Sequence, residues 1–265
     1  MSGQPEQLEQ SDHQRPNMAL AKRFLQENGP NAEVLLCSIT GSHTYGFASP
    51  DSDIDIKGIH IVPTEKLLLL NPKTPPHDRL EIFHGVECDL TTHEVAQALG
   101  LLLRGNGNVL ERILSSYQLL PSPHTDALQE LAQATIHRGF AKHYMGYFRG
   151  MQREHQLRRH AKSALYTYRV ALTGMHLLRS GELVTDVQTL AADTAFTNVA
   201  HLVAHKQQMT EKVAIPADLD SIVEEDWSKL EVGLAAALDE SKLPNQAPNQ
   251  AALEEWLLTL RRERF

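Results

Sequence analysis

The 265-residue sequence predicts an α+β chain, with an α/β N-terminal lobe followed by an all-helical C-terminal lobe. Three observations carry this expectation. Polar and apolar residues alternate at period two over residues 53–62 and again over 86–90, as half-buried strands require. A short apolar, β-branched run over 32–39 has the length of a buried strand. Beyond Pro121 the apolar spacing is helical nearly to the end, interrupted at Gly181, at Pro216 and by a polar linker over 241–251. The expected organisation is a polar tail over 1–17, a first domain over 18–120 and a helical domain over 121–265.

Taken in order, residues 18–27 have helical apolar spacing and stop at Asn28-Gly29-Pro30, a left-handed residue followed by a helix breaker. The strand over 53–62 places Ile54 and Ile56 on one face and Asp53 and Asp55 on the other. Pro63 and Thr64 close it, Thr64 caps a short helix through Leu67, and residues 71–76 form a loop. A third strand is expected over 80–90, with Gly85 permitting a turn or a bulge inside it. A helix over 92–103 stops at Arg104-Gly105, and Asn108 with Glu111 three residues on has the spacing of a capped helix start. At the C-terminus, residues 253–262 are amphipathic and suit docking on the chain's own core, with Trp256 as the anchor.

Composition narrows the function classes. The chain is 42% hydrophobic and 22% charged, ordinary for a globular protein. With Lys+Arg 25 against Asp+Glu 33, the net charge of -8 leaves no global positive field for nucleic acid, so any such contact is local. The longest apolar runs, around Leu67–Leu70 and Leu99–Leu103, fall short of the roughly 20 residues of a membrane helix. The N-terminal residues read as neither a secretory signal nor a transit peptide, so a soluble chain without membrane contact is expected. Cys37 and Cys88 sit in strand-like runs, where thiols pack as small hydrophobes, which fits a reducing cytoplasm.

The chemistry concentrates in Gly41-Ser-His-Thr-Tyr-Gly46 and the following 49–58 segment. A Gly-Ser pair directly after a strand frees backbone N–H groups and a hydroxyl, a geometry suited to phosphate oxygens. Asp53 and Asp55, two apart on a strand, project from one face and can share a divalent cation. Asp89 on the later alternating strand is the candidate third carboxylate, with Glu87 as its competitor on the same face. Three acidic groups gathered without a cation would repel one another, which favours metal over a bare acid patch. Lys57 falls on the same face, either near phosphates or in a salt bridge. Tyr45 either packs the turn or stacks on a base.

On a helix, Lys162, Tyr166 and Arg169 share one face at i, i+4 and i+7, presenting an ammonium, a phenol and a guanidinium suited to a triphosphate tail. Arg149, Arg153, Arg158 and Arg159, interleaved with His155 and His160, form the densest positive stretch and either guide a nucleic-acid end or make an ordinary solvated helix side. His201 and His205 have helical metal-ligand spacing but no following Glu and no evident third ligand, so they read as structural.

The stretch GSHTYGFASPDSDIDIKGI resembles the DNA polymerase β-like nucleotidyltransferase superfamily, in its RNA-repair-associated bacterial and phage branch. Segments 101–111, 162–169 and 177–182 are similar to that branch as well, so the resemblance spans residues 32–185. It implies a small mixed sheet flanked by helices, with Gly41 and Ser42 holding a triphosphate, Asp53 and Asp55 ligating Mg²⁺ (Mn²⁺ as the substitute), and Asp89 serving as ligand and base. The expected reaction moves a nucleoside monophosphate from an NTP to an acceptor hydroxyl, an RNA or tRNA end being favoured, and releases pyrophosphate. The alternatives are a catalytically silent nucleotide-binding regulator and a toxin-type enzyme modifying a protein or tRNA.

Overall fold

Strand pairing builds the first half of the molecule. The computed structural model describes residues 15–209 and 213–265; residues 1–14 of the expected tail lie outside the described residues. Helix α1 (Met18–Asn28) starts where the Asn17 side chain accepts a hydrogen bond from the Leu20 N–H at 3.0 Å. Then come β1 (Glu33–Thr40), a 3₁₀ turn at Gly41–His43, β2 (Ile54–Ile61) and the one-turn helix α2 (Thr64–Leu67). Strands β3 (His77–Phe83) and β4 (Val86–Glu94) complete a four-stranded mixed sheet of order β1-β2-β4-β3. Its β2–β4 pair is parallel and the other two pairs are antiparallel.

The single strand expected over 80–90 is therefore a hairpin. His84 and Gly85 both have positive φ (48° and 85°), the conformation of a two-residue turn whose twist matches antiparallel strands. Strand β3 lies at the sheet edge, so Asp78, Arg79 and Leu80 are exposed and its alternation is weak in sequence. Strand β4 is central and continues to Glu94, displacing the expected helix start from Thr92 to Val95. The Glu94 side chain caps the new helix, accepting from the Ala96 N–H at 2.8 Å.

Helices follow: α3 (Val95–Leu103), α4 (Gly107–Leu114), α5 (Pro123–Ala134), α6 (Phe140–Arg158), α7 (Ala161–Ser180), α8 (Val187–Ala191), α9 (Asn198–Gln208), α10 (Ala217–Glu240) and α11 (Gln250–Arg262). The cap of α4 is Asn106, whose side chain accepts from the Val109 N–H at 3.1 Å, and not Asn108. Glu111 is thereby freed from capping and buried for another purpose.

One face of the sheet packs under α1, where Cys37, Ile39, Ile54, Ile56 and Leu90 meet Ala21 and Phe24. A larger core joins Leu36 and Ile59 of the sheet to the helices, through Leu99, Leu110, Phe140, Tyr168 and Leu202. Burying each such aliphatic side chain contributes roughly 1.5–3 kcal/mol. Helix α7 is the central beam of this half, with 15 of its 20 residues buried, so its inward face cannot be the polar one. Helix α11 docks on the chain's own core, but its anchors are Leu253, Leu260 and Arg261, the last paired with buried Glu94; Trp256 is only partly buried.

Candidate active site

Backbone register sets the site. Thr40, Asp55 and Asp89 are successive Cα partners across β1, β2 and β4, and Ser38, Lys57 and Thr91 form the next row on the same face. Adjacent strands lie about 5 Å apart, so Asp55 and Asp89 are neighbours across the parallel pair. Directly after β1 the chain turns at Gly41, with φ of 74°, and a Cβ there would overlap the Asp55 carboxylate. Only glycine permits this approach, which sets the Gly41–Ser42 turn against Asp55.

The helical half holds the loop between that turn and β2. Thr185 Oγ1 donates to the Thr44 carbonyl at 2.9 Å, the Val187 N–H to that of Tyr45 at 3.0 Å, and Gln188 Nε2 to that of Gly46 at 2.8 Å. Lys206, fully buried on α9, donates to Ser49 Oγ at 3.0 Å and Ser52 Oγ at 3.3 Å, just ahead of Asp53. On the same helix, His205 Nε2 lies 3.0 Å from the Ala214 carbonyl oxygen, as the structural reading of His201 and His205 expects for that ring.

A cavity of about 310 Å³ opens on the polar face of the sheet. Gly41, Asp55, Lys57, Asp89, Asn108 and Tyr166 are among the residues that line it, together with Tyr45, Glu111, Arg112 and Tyr147. Asp53 and Glu87 line the adjoining cleft of about 470 Å³. Lys162 reaches Asp53 Oδ2 at 3.7 Å, bringing α7 to the end of β2. Lys57 Nζ donates to Asp89 Oδ2 at 2.7 Å and to Thr91 Oγ1 at 3.2 Å.

Of the three α7 residues expected on one phosphate-facing side, Lys162 and Tyr166 reach the site and Arg169 does not. Arg169 is fully buried and donates to Glu111 Oε1 at 2.7 Å, with its guanidinium 3.8 Å from the centre of the Tyr45 ring. Burial is the strongest single influence and works against its charge, but the Glu111 carboxylate and the neighbouring Tyr45, Tyr147 and Tyr166 oxygens together hold its pKa above the ordinary value. Glu111 also accepts from the Tyr45 hydroxyl at 2.8 Å and the Tyr144 hydroxyl at 3.3 Å. Burial raises the pKa of both phenols, so they remain neutral donors. Tyr45 thus packs the turn, and Tyr166 stands edge-on to it and to Phe47.

The arginine stretch is largely charge-compensated. Arg149 pairs with Glu231 at 2.8 Å, Arg158 with Glu154, and Arg159 with Asp220 at 2.5 Å and Glu224 at 2.7 Å; Arg153 is exposed. His155 is buried between Ser163 and Asp220. Of the two readings open for this stretch, exposed pairing of its arginines with carboxylates of α6 and α10 is the character of a solvated helix side.

Sequence reasoning missed Glu111, Asn108 and Tyr147 as site residues. Glu111 and Asn108 lie in a segment whose resemblance to known sequences was visible, but local spacing offered capping as their role. Tyr147 carries no local signal. As a donor set, Asp55 on β2 and Asp53 just ahead of the strand offer hard carboxylate oxygens of the kind a divalent cation takes, although they line adjoining cavities. Among the described residues no group of three or more His, Cys, Asp or Glu side chains converges for a metal, Asp89 being held by Lys57.

A nucleotidyltransferase-like protein of solved structure from Exiguobacterium sibiricum is 12% identical, covering 94% of this chain and 81% of that one, with a TM-score of 0.34. At that distance the likeness adds no weight beside the family match. A search of curated proteins finds no match. The model of the RNA repair pathway DNA polymerase beta family matches residues 13–259. The chain, a mixed α+β nucleotidyltransferase with a four-stranded sheet and a helical C-terminal part, belongs to that family.

Proposed function

We propose that the protein is a Mg²⁺-dependent nucleotidyltransferase that moves a nucleoside monophosphate from an NTP to the hydroxyl of an RNA or tRNA end. The observation that carries this reading is the Gly41 turn pressed against Asp55, in a cavity shared with Asp89 and faced by α7. Asp53 and Asp55 would hold the divalent cation, with Asp89 beside them as the base and Mn²⁺ the expected substitute. When bound, the cation neutralises charge on the phosphates and the leaving pyrophosphate. The Gly41–Ser42 turn receives phosphate oxygens through its N–H groups and the Ser42 hydroxyl. Lys162 and Tyr166 flank the tail from α7.

Asp89 accepts the acceptor hydroxyl's proton as its oxygen attacks the α-phosphorus in line. One P–O bond forms to the acceptor, the bond from the α-phosphorus to the bridging oxygen breaks, and pyrophosphate leaves with that electron pair. Glu111 and Arg169 keep the turn in register by holding Tyr45 from behind. Among the described residues no helix is long and apolar enough to cross a membrane. Cys37 and Cys88 are buried free thiols, raised by burial to about 12 and about 11. Unreactive thiols of this kind suit a cytoplasmic protein.

The test incubates the protein with each α-³²P-labelled NTP and Mg²⁺ or Mn²⁺, offering tRNA, single-stranded RNA and a cell lysate as acceptors. Label entering RNA or tRNA, and lost in the Asp53→Ala, Asp55→Ala double variant, is the expected result. Transfer retained in that variant overturns the reading. NTP binding without transfer to any acceptor would instead favour a nucleotide-binding regulator.

A further inference from the structure

The charge pattern on the polar face of the sheet bears on how many cations the site takes. Asp55 and Asp89 are register partners, and a cation bridging them would have to sit where Lys57 reaches. Lys57 is fixed there by its backbone. It lies in a central strand, paired with Ser38 on one side and Thr91 on the other, and its side chain is 21% exposed. Its ammonium already satisfies Asp89 at 2.7 Å and Thr91 at 3.2 Å. At the other end of the face, Lys162 stands 3.7 Å from Asp53.

The formal charges of Asp53, Asp55 and Asp89 with Lys57 and Lys162 sum to one net negative before any metal binds. One divalent cation added to two lysines supplies the same four positive charges as two divalent cations would. A second divalent cation entering beside Asp89 would meet the Lys57 ammonium at close range, and like charges at that separation repel strongly.

We propose that Lys57 stands in for a second metal ion, so that the site binds a single divalent cation at Asp53 and Asp55 while Asp89 stays free of metal as the base. This rests on the nucleotidyltransferase reading above. Lys57 is a positioning residue here: it acts through Asp89, holding the carboxylate toward the cavity and offsetting its charge. Because the ammonium is tethered to the chain, the site does not wait for a second, weakly held ion before the acceptor hydroxyl is deprotonated.

The test counts Mn²⁺ by electron paramagnetic resonance on the whole protein with α,β-imido-ATP and, separately, α,β-imido-GTP. The Asp53→Asn, Asp55→Asn double variant supplies the background. Wild type and Lys57→Arg are expected to bind one Mn²⁺ per chain above that background, and Lys57→Met two. In parallel, transfer by Lys57→Met at low Mg²⁺ is expected to fall about 100-fold and to recover in part at high Mg²⁺, with a steeper metal dependence than wild type.

Two Mn²⁺ in wild type, or still one in Lys57→Met, overturns the proposal and leaves the transferase reading standing. No Mn²⁺ above background in wild type removes both together. If Lys57→Met does not fold, the wild-type and Lys57→Arg counts decide.

Discussion

On the face of the sheet under α1, Ile54, Ile56, Cys88 and Leu90 pack against Ala21 and Phe24, while the opposite face of the same strands turns Asp55, Lys57 and Asp89 toward a cavity. Residues 55 and 56 are chain neighbours, yet one has polar company and the other is sealed. The pleat separates the two environments without any insertion or loop. Fold stability and chemistry can therefore be disturbed independently by adjacent substitutions.

The sharpest contrast is between those neighbours. Asp55→Asn keeps the side-chain volume and is expected to lower nucleotide transfer by about 10³-fold or more, with little change in melting temperature. Ile56→Ala is expected to cost about 2–5 kcal/mol of stability and to leave the specific activity of the folded fraction intact. Steady-state kinetics and thermal melts on both variants check the separation. If Ile56→Ala loses activity at full foldedness, the two faces are coupled and the comparison fails.

A second break point lies where the polar face meets the helices. Glu111 is the carboxylate on which Arg169, Tyr45 and Tyr144 converge. Glu111→Ala leaves a buried guanidinium unpaired and is expected to cost about 3–5 kcal/mol, or roughly 10 °C in melting temperature. Unlike Ile56→Ala it also loosens the Tyr45 turn, so transfer per folded molecule should fall. Differential scanning calorimetry with activity measured on the soluble fraction distinguishes the two outcomes.

The smallest effect is a pH dependence. His60, His93, His137 and His143 have pKa values lowered by burial from an ordinary 6.5, with lesser contributions from neighbouring charges. Below pH 6.5 the unfolded chain takes up protons at these sites before the folded chain does. Stability is therefore complete above about pH 6.5 and is lost progressively as the pH falls toward the folded values. Melting temperatures between pH 7.5 and 5 should decline in that direction; a flat profile would contradict the buried, neutral state of these rings.

How much was legible beforehand varied with how local the cause was. Strands β1 and β2, helix α1, the face separation of Asp55 from Ile54 and Ile56, and the glycine at position 41 followed from periodicity and turn chemistry. The β3–β4 hairpin was blurred because an edge strand lacks the alternation of a half-buried one. Asn108 and Glu111 imitate a capping pair, and only the buried Arg169 across the core shows why a carboxylate stands there. The reading of the basic stretch in α6 rests on charge density and that of the α7 face on helical spacing of charged and phenolic side chains. Neither reading could see the acidic residues of α10, or the Glu111 carboxylate, that those cations meet.

By itself, then, the sequence determined the α+β order of strands followed by helices, the family resemblance and the strand bearing Asp55. These rest on spacing within a few residues, where the backbone's period leaves little choice. Tertiary structure alone decided which cation meets which carboxylate. Lys57 with Asp89 depends on a parallel register, Lys162 with Asp53 on how α7 crosses the end of β2, and Arg169 with Glu111 on a core joining residues 58 positions apart. Long side chains find partners through the packing of whole elements, and no local pattern encodes that packing.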